Sequence, residues 1–251
     1  MITDPADSAH SHRFRLAYVP GATPAKWVRK WRERFHDVPL QLIPCSVAES
    51  AGLLRDGAVD AVVTRIPQAI DAVDPGPHHL IELYEETTVV VLPNDHYLTV
   101  ADELTSDQLA DEQILVPLDD VLGWDDVPGT VVDHRPETTA DAVELVAAGT
   151  GLLVVPQSLA RLHHRRDLDF RPLLDAPTSR VGLVWSSPTS ELAEQFAGLV
   201  RGRSANSSRG QAPAPKRSAK EKAAAKKANR EAAGKVPGKN YGKSAARKRR
   251  R

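Results

Sequence analysis

The chain has 251 residues and a formal net charge of zero, but residues 1–203 carry a net −14 and residues 204–251 a net +14. Residues 1–203 are numerous enough to bury a stable core without disulfide cross-links. The chain has a single cysteine, Cys45, which excludes an internal disulfide. No apolar run reaches the roughly 18 residues of a membrane-spanning helix. Because the polar residues 1–12 also lack a secretory signal, we expect a cytoplasmic protein with a disordered leader and no membrane partner.

Strand and helix patterns alternate after the leader. Residues 13–19 (RFRLAYV) alternate apolar and polar side chains, which predicts a strand. After a short turn, Thr23 as N-cap and Pro24 at the first helical position predict a helix that runs to about His36. An apolar stripe with four-residue spacing predicts the face of this helix that packs on the core: Trp27, Trp31 and Phe35.

A strand, a helix and another strand are predicted next, at residues 38–43, 46–56 and 59–64. Ser46 and Glu49 have the spacing of a capping box at the start of the helix. The nearly continuous apolar run of residues 59–64 (VDAVVT) is typical of a strand covered on both faces. Because strands and helices alternate, we predict a parallel sheet with right-handed crossovers.

A second α/β unit is predicted from residue 79 onward. Short apolar runs between turn residues predict strands at 79–84, 87–92, 113–116, 130–134, 152–155, 168–173 and 181–185. Helices are predicted at 104–110, 138–148, 156–163 and 188–203. Thr138 is the predicted N-cap of the second of these helices, with Asp141 in its first turn, and Pro188 is the predicted first residue of the last helix.

The basic residues 204–251 differ in kind from the rest. Residues 204–215 have the Ser, Gly and Pro content of a flexible linker, and residues 218–233 favour a helix that is too short to be stable alone. Sixteen Lys or Arg against two acids favour a disordered tail that binds nucleic acid nonspecifically; a tail that only improves solubility is the alternative. The candidate nucleic-acid-binding residues are Lys216, Arg217, Lys220, Lys222, Lys226, Lys227, Arg230, Lys243, Arg247, Lys248, Arg249, Arg250 and Arg251.

Six stretches carry a family pattern when they are taken in order. They are RFRLAYVPGA, KWRERFHDVPLQLIPCS, ESAGLLRDGAVDAVVTR, LYEETTVVVLPNDHYLTVADELTSDQLADEQILVP, ETTADAVELVAAGTGLLVVPQSLA and VGLVWS. In this order and spacing, residues 13–203 resemble the effector-binding domain of LysR-type transcriptional regulators. The resemblance implies an α/β fold with the two lobes of type II periplasmic binding proteins. Lobe one would comprise residues 13–86 and 178–203, and lobe two residues 87–177.

The sequence departs from the family pattern in two places. The family has a winged helix-turn-helix and a linker helix before this domain, whereas only the leader precedes it here. We therefore expect the effector-binding domain without the DNA-binding domain of the family. In lobe two, the segment LDDVLGWDDVPG replaces the helix that the family has after the strand at 113–116, so we expect that side of the cleft to differ.

A ligand site is predicted in the cleft between the lobes. Open parallel sheets bind ligands beyond the carboxyl ends of their strands, and helix N-termini at Thr23 and Thr138 favour an anion there. Arg65 could pair bidentately with a carboxylate, so we predict a small carboxylated effector. The alternatives are plain N-caps for the two threonines and a surface salt bridge for Arg65. The predicted ligand-binding residues are Gly21, Ala22, Thr23, Thr64, Arg65, Ile66, Pro117, Leu118, Thr138, Thr139, Val155 and Pro156.

Signals of catalysis are weak, and we predict no catalytic residue, no metal site and no cofactor. The adjacent histidine pairs at 78–79 and 163–164 make poor chelates, and no Walker or nucleophile-elbow motif occurs. The leading hypothesis is therefore a regulatory domain that binds a small metabolite and takes part in transcription regulation. Two alternatives are an enzyme on the same fold, such as a dehydratase, and a module that pairs with a full-length regulator. We expect either a homodimer or such a hetero-pair.

Overall fold

The computed structural model describes residues 13–66 and 78–202. The predicted leader and basic tail, with all the candidate nucleic-acid-binding residues, lie outside the described residues. Within these two ranges no helix combines the length and the apolar character needed to cross a membrane. The described chain forms two five-stranded sheets with helices packed against them, which is the predicted α/β architecture.

The first sheet contains the parallel strands predicted from the start of the chain. Its strands are β1 (Phe14–Tyr18), β2 (Leu40–Pro44), β3 (Ala61–Ile66), β4 (His78–Glu86) and β10 (Ser179–Ser186), in the order β2-β1-β3-β10-β4. β1 is parallel to β2 and β3, whereas β10 is antiparallel to β3 and β4. Every residue of β3 is buried, as predicted for a strand covered on both faces. The carboxyl ends of β1, β2 and β3 therefore lie at one edge of the sheet.

Aromatic packing holds the helices of the first sheet in place. The helices are α1 (Ala25–Arg34), α2 (Val47–Arg55) and α5 (Glu191–Val200). Trp31 of α1 is fully buried, and its ring stacks on Phe14 of β1 with 4.9 Å between centroids. Phe196 of α5 also stacks on Phe14 at 4.9 Å, and its ring centroid lies 5.7 Å from that of Trp31. The predicted stripe of α1 is confirmed, because Trp27 and Phe35 pack against the same core.

The second sheet is mixed and shorter in its strands. It is built from β5 (Thr88–Pro93), β6 (Gln113–Leu115), β7 (Thr130–Val131), β8 (Leu152–Pro156) and β9 (Leu168–Pro172), in the order β7-β6-β8-β5-β9. Helices α3 (Thr139–Ala147) and α4 (Gln157–Leu162) pack on it. The chain passes between the two sheets twice, at residues 86–88 and at residues 172–179.

Three predicted elements differ clearly from the structure. The strand predicted at 130–134 comprises only Thr130–Val131. The helix predicted at 104–110 is a single 3₁₀ turn, Ser106–Leu109. The last helix begins at Glu191, and Pro188 precedes it. The reason is Ser190, whose hydroxyl accepts a backbone N–H of the first turn and so fixes the N-cap, a bond that a proline ring cannot make.

Candidate functional site

A cleft of about 760 Å³ opens at the carboxyl ends of β1 and β2. One set of lining residues belongs to the first sheet and another to α4 on the second sheet. The lining comprises Tyr18, residues 20–23 and Pro44, residues 84–87 at the first crossing, and Gln157, Ser158, Arg161 and Leu162 of α4. Three predicted ligand-binding residues, Gly21, Ala22 and Thr23, therefore lie in the cleft.

Gly21 allows the turn between β1 and α1 to approach α4 closely. Its φ is +81°, in the left-handed region that favours glycine. A Cβ atom at this position would lie 2.4 Å from the Ser158 hydroxyl oxygen and 3.0 Å from Nη2 of Arg65. Glycine is therefore required here both by the backbone conformation and by the lack of space.

Arg65, near the end of β3, joins three parts of the structure. Its side chain is only 3% exposed, and its Nη2 lies 3.1 Å from Oε2 of Glu86 at the first crossing. Nη1 donates to the carbonyl oxygen of Pro20 at 2.8 Å, and Nη2 donates to the hydroxyl of Ser158 at 2.9 Å. The alternative of a surface salt bridge is therefore wrong. The carboxylate that Arg65 pairs with in this structure belongs to the chain itself.

One polar atom of this ion pair has no hydrogen-bond partner among the described residues. The Nε atom of Arg65 is buried without a hydrogen-bond partner in the described chain, a condition that costs about 1–3 kcal/mol for a buried polar group. Tyr84 lies beside the pair in the cleft, where burial and, next, Glu86 raise the pKa of its phenol while Arg65 opposes them. A phenol is protonated at neutral pH even at its ordinary pKa, so Tyr84 can donate a hydrogen bond to a ligand.

α1 begins at the cleft without a side-chain cap. The prediction that Thr23 is the N-cap is wrong, because the N-cap is Pro24, with φ −75° and ψ 0°, and it makes no side-chain capping bond. A capping side chain requires an extended backbone at the N-cap, and Pro24 is in the helical region. Thr23 nevertheless lines the cleft, and its hydroxyl makes no hydrogen bond with the described residues. The start of α1 can therefore receive a polar group of a ligand.

At the start of α3, on the second sheet, the predicted ligand-binding residues are bonded to their neighbours. Thr138 is the N-cap, as predicted, and it also forms a complete capping box with Asp141. The Thr139 hydroxyl donates to Oδ1 of Asp119 at 2.9 Å. Neither threonine lines the cleft, and the plain capping role is the one the structure gives to Thr138.

The polar backbone groups just after β6 are likewise hydrogen-bonded to other residues of the chain. Nε and Nη2 of Arg135 donate to the carbonyl oxygens of Val116 and Pro117 at 3.0 and 2.8 Å. The backbone N–H of Leu118 donates to the carbonyl oxygen of Pro136 at 2.9 Å. The backbone groups of the predicted residues Pro117 and Leu118 are thus bonded to other residues of lobe two, and neither residue lines the cleft.

The other predicted ligand-binding residues are buried within the sheets. Thr64 donates its hydroxyl to Ser50 at 3.3 Å, and Ile66 packs close to β10. Val155 and Pro156 are buried at the end of β8. None of these four residues lines the cleft, although Pro156 stands directly before the α4 residues that do.

The sequence analysis missed the contribution of α4. Its four cleft residues follow the pattern i, i+1, i+4, i+5, which places them on one helix face: Gln157, Ser158, Arg161 and Leu162. That spacing was the signal available in the sequence. The prediction stopped at Pro156 because it assumed that contacts come from the strand end and not from the helix after it. Tyr18, Tyr84 and the two glutamates of the crossing were also missed.

Neither Cys45 nor the histidines provide a reactive centre. Cys45 follows β2 and is buried, and its pKa is raised, first by burial and then by Glu49, which the hydrogen bond to Tyr18 only partly opposes. These features are those of an unreactive thiol. In the part of the chain that the structure describes, no group of three or more His, Cys, Asp or Glu could hold a metal ion.

Comparison with known proteins identifies a family pattern over most of the chain. The family model for the LysR substrate binding domain matches residues 8–205. A probable hydrogen peroxide-inducible genes activator of Mycobacterium avium is 28% identical over 182 residues, which are 67% of this chain and 57% of that protein. The HTH-type transcriptional regulator CatR of Pseudomonas putida is 31% identical over 150 residues, or 56% of this chain and 50% of that protein. The chain thus spans about half the length of the curated relatives it matches.

Solved structures share the fold at low sequence identity. The oxidized form of OxyR superposes with a TM-score of 0.62 at 18% identity, covering 76% of this chain and 93% of that chain. The BenM effector binding domain with its effector benzoate gives a TM-score of 0.61 at 18% identity, covering 78% of this chain and 96% of that chain. These similarities confirm the predicted two-lobed fold.

Proposed function

The chain belongs to the LysR substrate-binding domain family, a family of regulators and not of enzymes, and from this premise we propose that it is the effector-sensing domain of a cytoplasmic transcription regulator. In this proposal a small molecule enters the cleft, contacts residues 20–23 of lobe one and α4 of lobe two, and changes how the lobes are held together. Regulation follows from that change, since a ligand shifts a conformational equilibrium by its difference in affinity for the two states.

The observation that carries the proposal is the cleft itself. It measures about 760 Å³, within the range of small-molecule sites, and residues of both sheets line it. It combines apolar side chains, such as Leu162, with polar groups that bond to no described residue, such as the Thr23 hydroxyl. BenM, which has the same fold, binds benzoate as its effector. A small carboxylated molecule remains the predicted class of effector.

Native mass spectrometry of the freshly purified full chain tests this function. We expect a bound metabolite, or one acquired from a bacterial metabolite extract, and an increase in melting temperature when it is added. Thr23→Trp should fill the cleft and abolish binding. Glu137→Trp, at an exposed position outside the cleft, is the matched control and should bind as the wild type does. If wild type and both variants bind nothing from the extract, the chain is not an effector sensor.

We also propose that the basic residues 204–251 give the protein nonspecific affinity for nucleic acid. The proposal is supported by their net charge of +14 in a chain whose other residues sum to −14. If about eight of these cations contact phosphates, affinity should fall by roughly 10⁴ between 50 and 200 mM salt.

A gel-shift titration at the two salt concentrations measures this affinity. The variant for comparison has all thirteen candidate nucleic-acid-binding residues replaced by glutamine, and a matched variant has an equal number of alanines and serines of the same segment replaced by glutamine. Retained affinity in the first variant, or a loss of equal size in both, would contradict the role of the charges.

We further propose that the domain forms pairs, either with a second copy or with a related regulator. The supporting observation is a groove of about 540 Å³ between α1 and the edge strand β2, where Leu42 is partly exposed and Arg29, Arg32 and Glu33 surround an apolar centre. Light scattering coupled to size exclusion measures the mass in solution. Leu42→Asp should yield a monomer, and Leu118→Asp, at an exposed leucine on the other sheet, should not change the mass.

A further inference from the structure

We infer that Arg161 is the residue that binds the acidic group of the effector, and that the effector carries one such group. This inference rests on the proposed effector-binding function and names the chemistry of that same cleft. It assigns the role predicted for Arg65 to a different arginine.

The first step of the argument is that the other nearby arginine is already committed. Arg65 is almost fully buried and donates to Pro20, Glu86 and Ser158. For a ligand carboxylate to replace Glu86 at this guanidinium, the acid of Glu86 would be left buried and without its partner, which is strongly unfavourable. Arg65 therefore supports the walls of the cleft and does not line it.

Arg161, in contrast, is the single cation among the residues that line the cleft. It is exposed, and it forms no hydrogen bond or ion pair with any residue that the structure describes. A guanidinium presents a planar fork of donors that matches a carboxylate, so an acid that enters the cleft finds a complementary partner that no described residue occupies.

The position of Arg161 on α4 directs the rest of the ligand. Arg161 and Leu162 share the cleft face with Ser158, one helical turn earlier. Leu162 is 52% exposed and Tyr84 is 39% exposed, and both line the cleft, so they provide a surface for an apolar body. A molecule with an acid at one end and an apolar ring or chain at the other fits this arrangement.

The remaining charge in the cleft argues against a second acidic group. Glu85 lines the cleft and accepts a hydrogen bond from Thr178, and it has no ion pair with a described residue. A second carboxylate on the ligand would find no further cation in the lining and would share the cleft with Glu85. A single acid is compensated by Arg161, whereas a second acid would have no cation in the lining to offset the repulsion.

A purely local role for Arg161 makes a different prediction. A basic residue in the last turn of a helix interacts favourably with the carbonyl groups at its C-terminus, and Arg161 occupies the last turn of α4. On that reading Arg161 contributes to stability and is indifferent to ligands. A measurement on the side chain itself therefore separates the two roles.

The test follows the arginine Nε–Hε signals of the full chain by ¹⁵N NMR during titration with acetate and benzoate. Acetamide and benzamide serve as uncharged probes of the same shape. We expect saturable shifts at Arg161 with the two acids only. Arg166, an exposed arginine just beyond α4 whose side chain bonds to no described residue, should stay unchanged. Arg161→Gln should weaken binding of benzoate by about 10- to 100-fold, Arg161→Lys by less, and Arg166→Gln not at all. Terephthalate, with two acids, should bind no more tightly than benzoate.

The inference is overturned if neither acid shifts Arg161 more than Arg166, or if the amides act as the acids do. It is also overturned if a metabolite identified by native mass spectrometry binds wild type and Arg161→Gln equally; in that case the effector-binding function stands and only the role of Arg161 fails. If no metabolite of any charge binds the wild-type cleft, the function itself is refuted.

Discussion

The two corners that the sequence analysis treated as equivalent differ in the structure. At the corner of lobe one, α1 starts without a side-chain cap and the Thr23 hydroxyl faces no bonding partner among the described residues. At the corner of lobe two, Thr138 is bound in a capping box and Thr139 to Asp119. Only the first corner lines the cleft. A helix start at a strand end therefore predicts a ligand site only when its polar groups are not already bonded within the chain.

The difference comes from short sequence motifs. Thr138 is followed three residues later by Asp141, which returns a bond to the backbone of the cap, so this helix start is complete without a ligand. In lobe one, Pro24 occupies the N-cap and has neither a side-chain acceptor nor an N–H donor. The polar groups at the start of α3 are bonded within the chain, so lobe two contributes to the cleft through the side chains of α4 instead.

The largest effect is expected from removing the Arg65 guanidinium, which lies behind the lobe-one corner where α1 starts without a side-chain cap. Arg65→Met should lower the free energy of unfolding by about 3–5 kcal/mol, because Glu86 is then buried without a partner. Arg65→Met combined with Glu86→Gln should recover part of the loss, since the uncompensated charge is gone. Urea unfolding of both variants measures the effect. A loss below about 1 kcal/mol in the single variant would mean that the pair does not hold this corner together.

A smaller loss is expected where the lobe-one corner meets α4. Gly21→Ala should cost about 2–4 kcal/mol, because the left-handed backbone adds strain and the new Cβ atom collides with Ser158. Gly57→Ala is the matched control: its φ is +62°, and a Cβ there meets nothing within 4 Å. The control should therefore lose only the backbone part, about 1–2 kcal/mol. Equal losses in thermal unfolding would show that the contact between the turn and α4 has no energetic weight.

The two threonines test the comparison directly. Thr138→Ala should cost about 1 kcal/mol of stability, because it removes a capping side chain, and should leave ligand affinity unchanged. Thr23→Ala should change stability by less than about 0.5 kcal/mol and weaken binding of the effector by up to about tenfold, the value of one hydrogen bond. Calorimetry of unfolding and of binding measures both quantities. The reverse pattern would exchange the roles of the two corners.

The parts of this molecule that could be predicted from sequence depend on neighbours in the chain. The capping boxes at Ser46 and Thr138, the aromatic stripe of α1 and the buried strand at residues 59–64 all follow from spacings of two to four residues. The misplaced start of the last helix is of the same kind, since Ser190 was available as the better cap. The two-lobed fold required the family resemblance, because local periodicity does not specify how two sheets are connected.

The cleft was harder to predict because its contacts are distant in sequence. Arg65 and Ser158 are 93 positions apart, and the approach of Gly21 to Ser158 depends on how α4 meets the turn after β1. Residue type favoured a ligand role for Arg65, but its partner, Glu86, could not be identified before the crossing was placed. The fold class predicts which sheet edge carries the cleft. Which polar groups are left unbonded at that edge is a property of the tertiary structure.

The smallest expected effect is on the rate at which a thiol reagent labels Cys45, beside the lobe-one corner of the cleft. Cys45 directly follows Pro44, which lines the cleft, yet its thiol is buried, and burial raises its pKa above the ordinary value of 9.0. We expect a disulfide reagent at pH 8 to label the folded chain several-fold more slowly than the urea-unfolded chain, because the thiolate is both scarce and covered. The thiol's contribution to stability should be fully present below pH 9 and lost as the pH rises through its higher folded value, a change that Cys45→Ala would remove. Labelling of the folded chain as fast as of the unfolded chain would contradict the burial of the thiol, and would place Cys45 beside Pro44 among the residues that line the cleft.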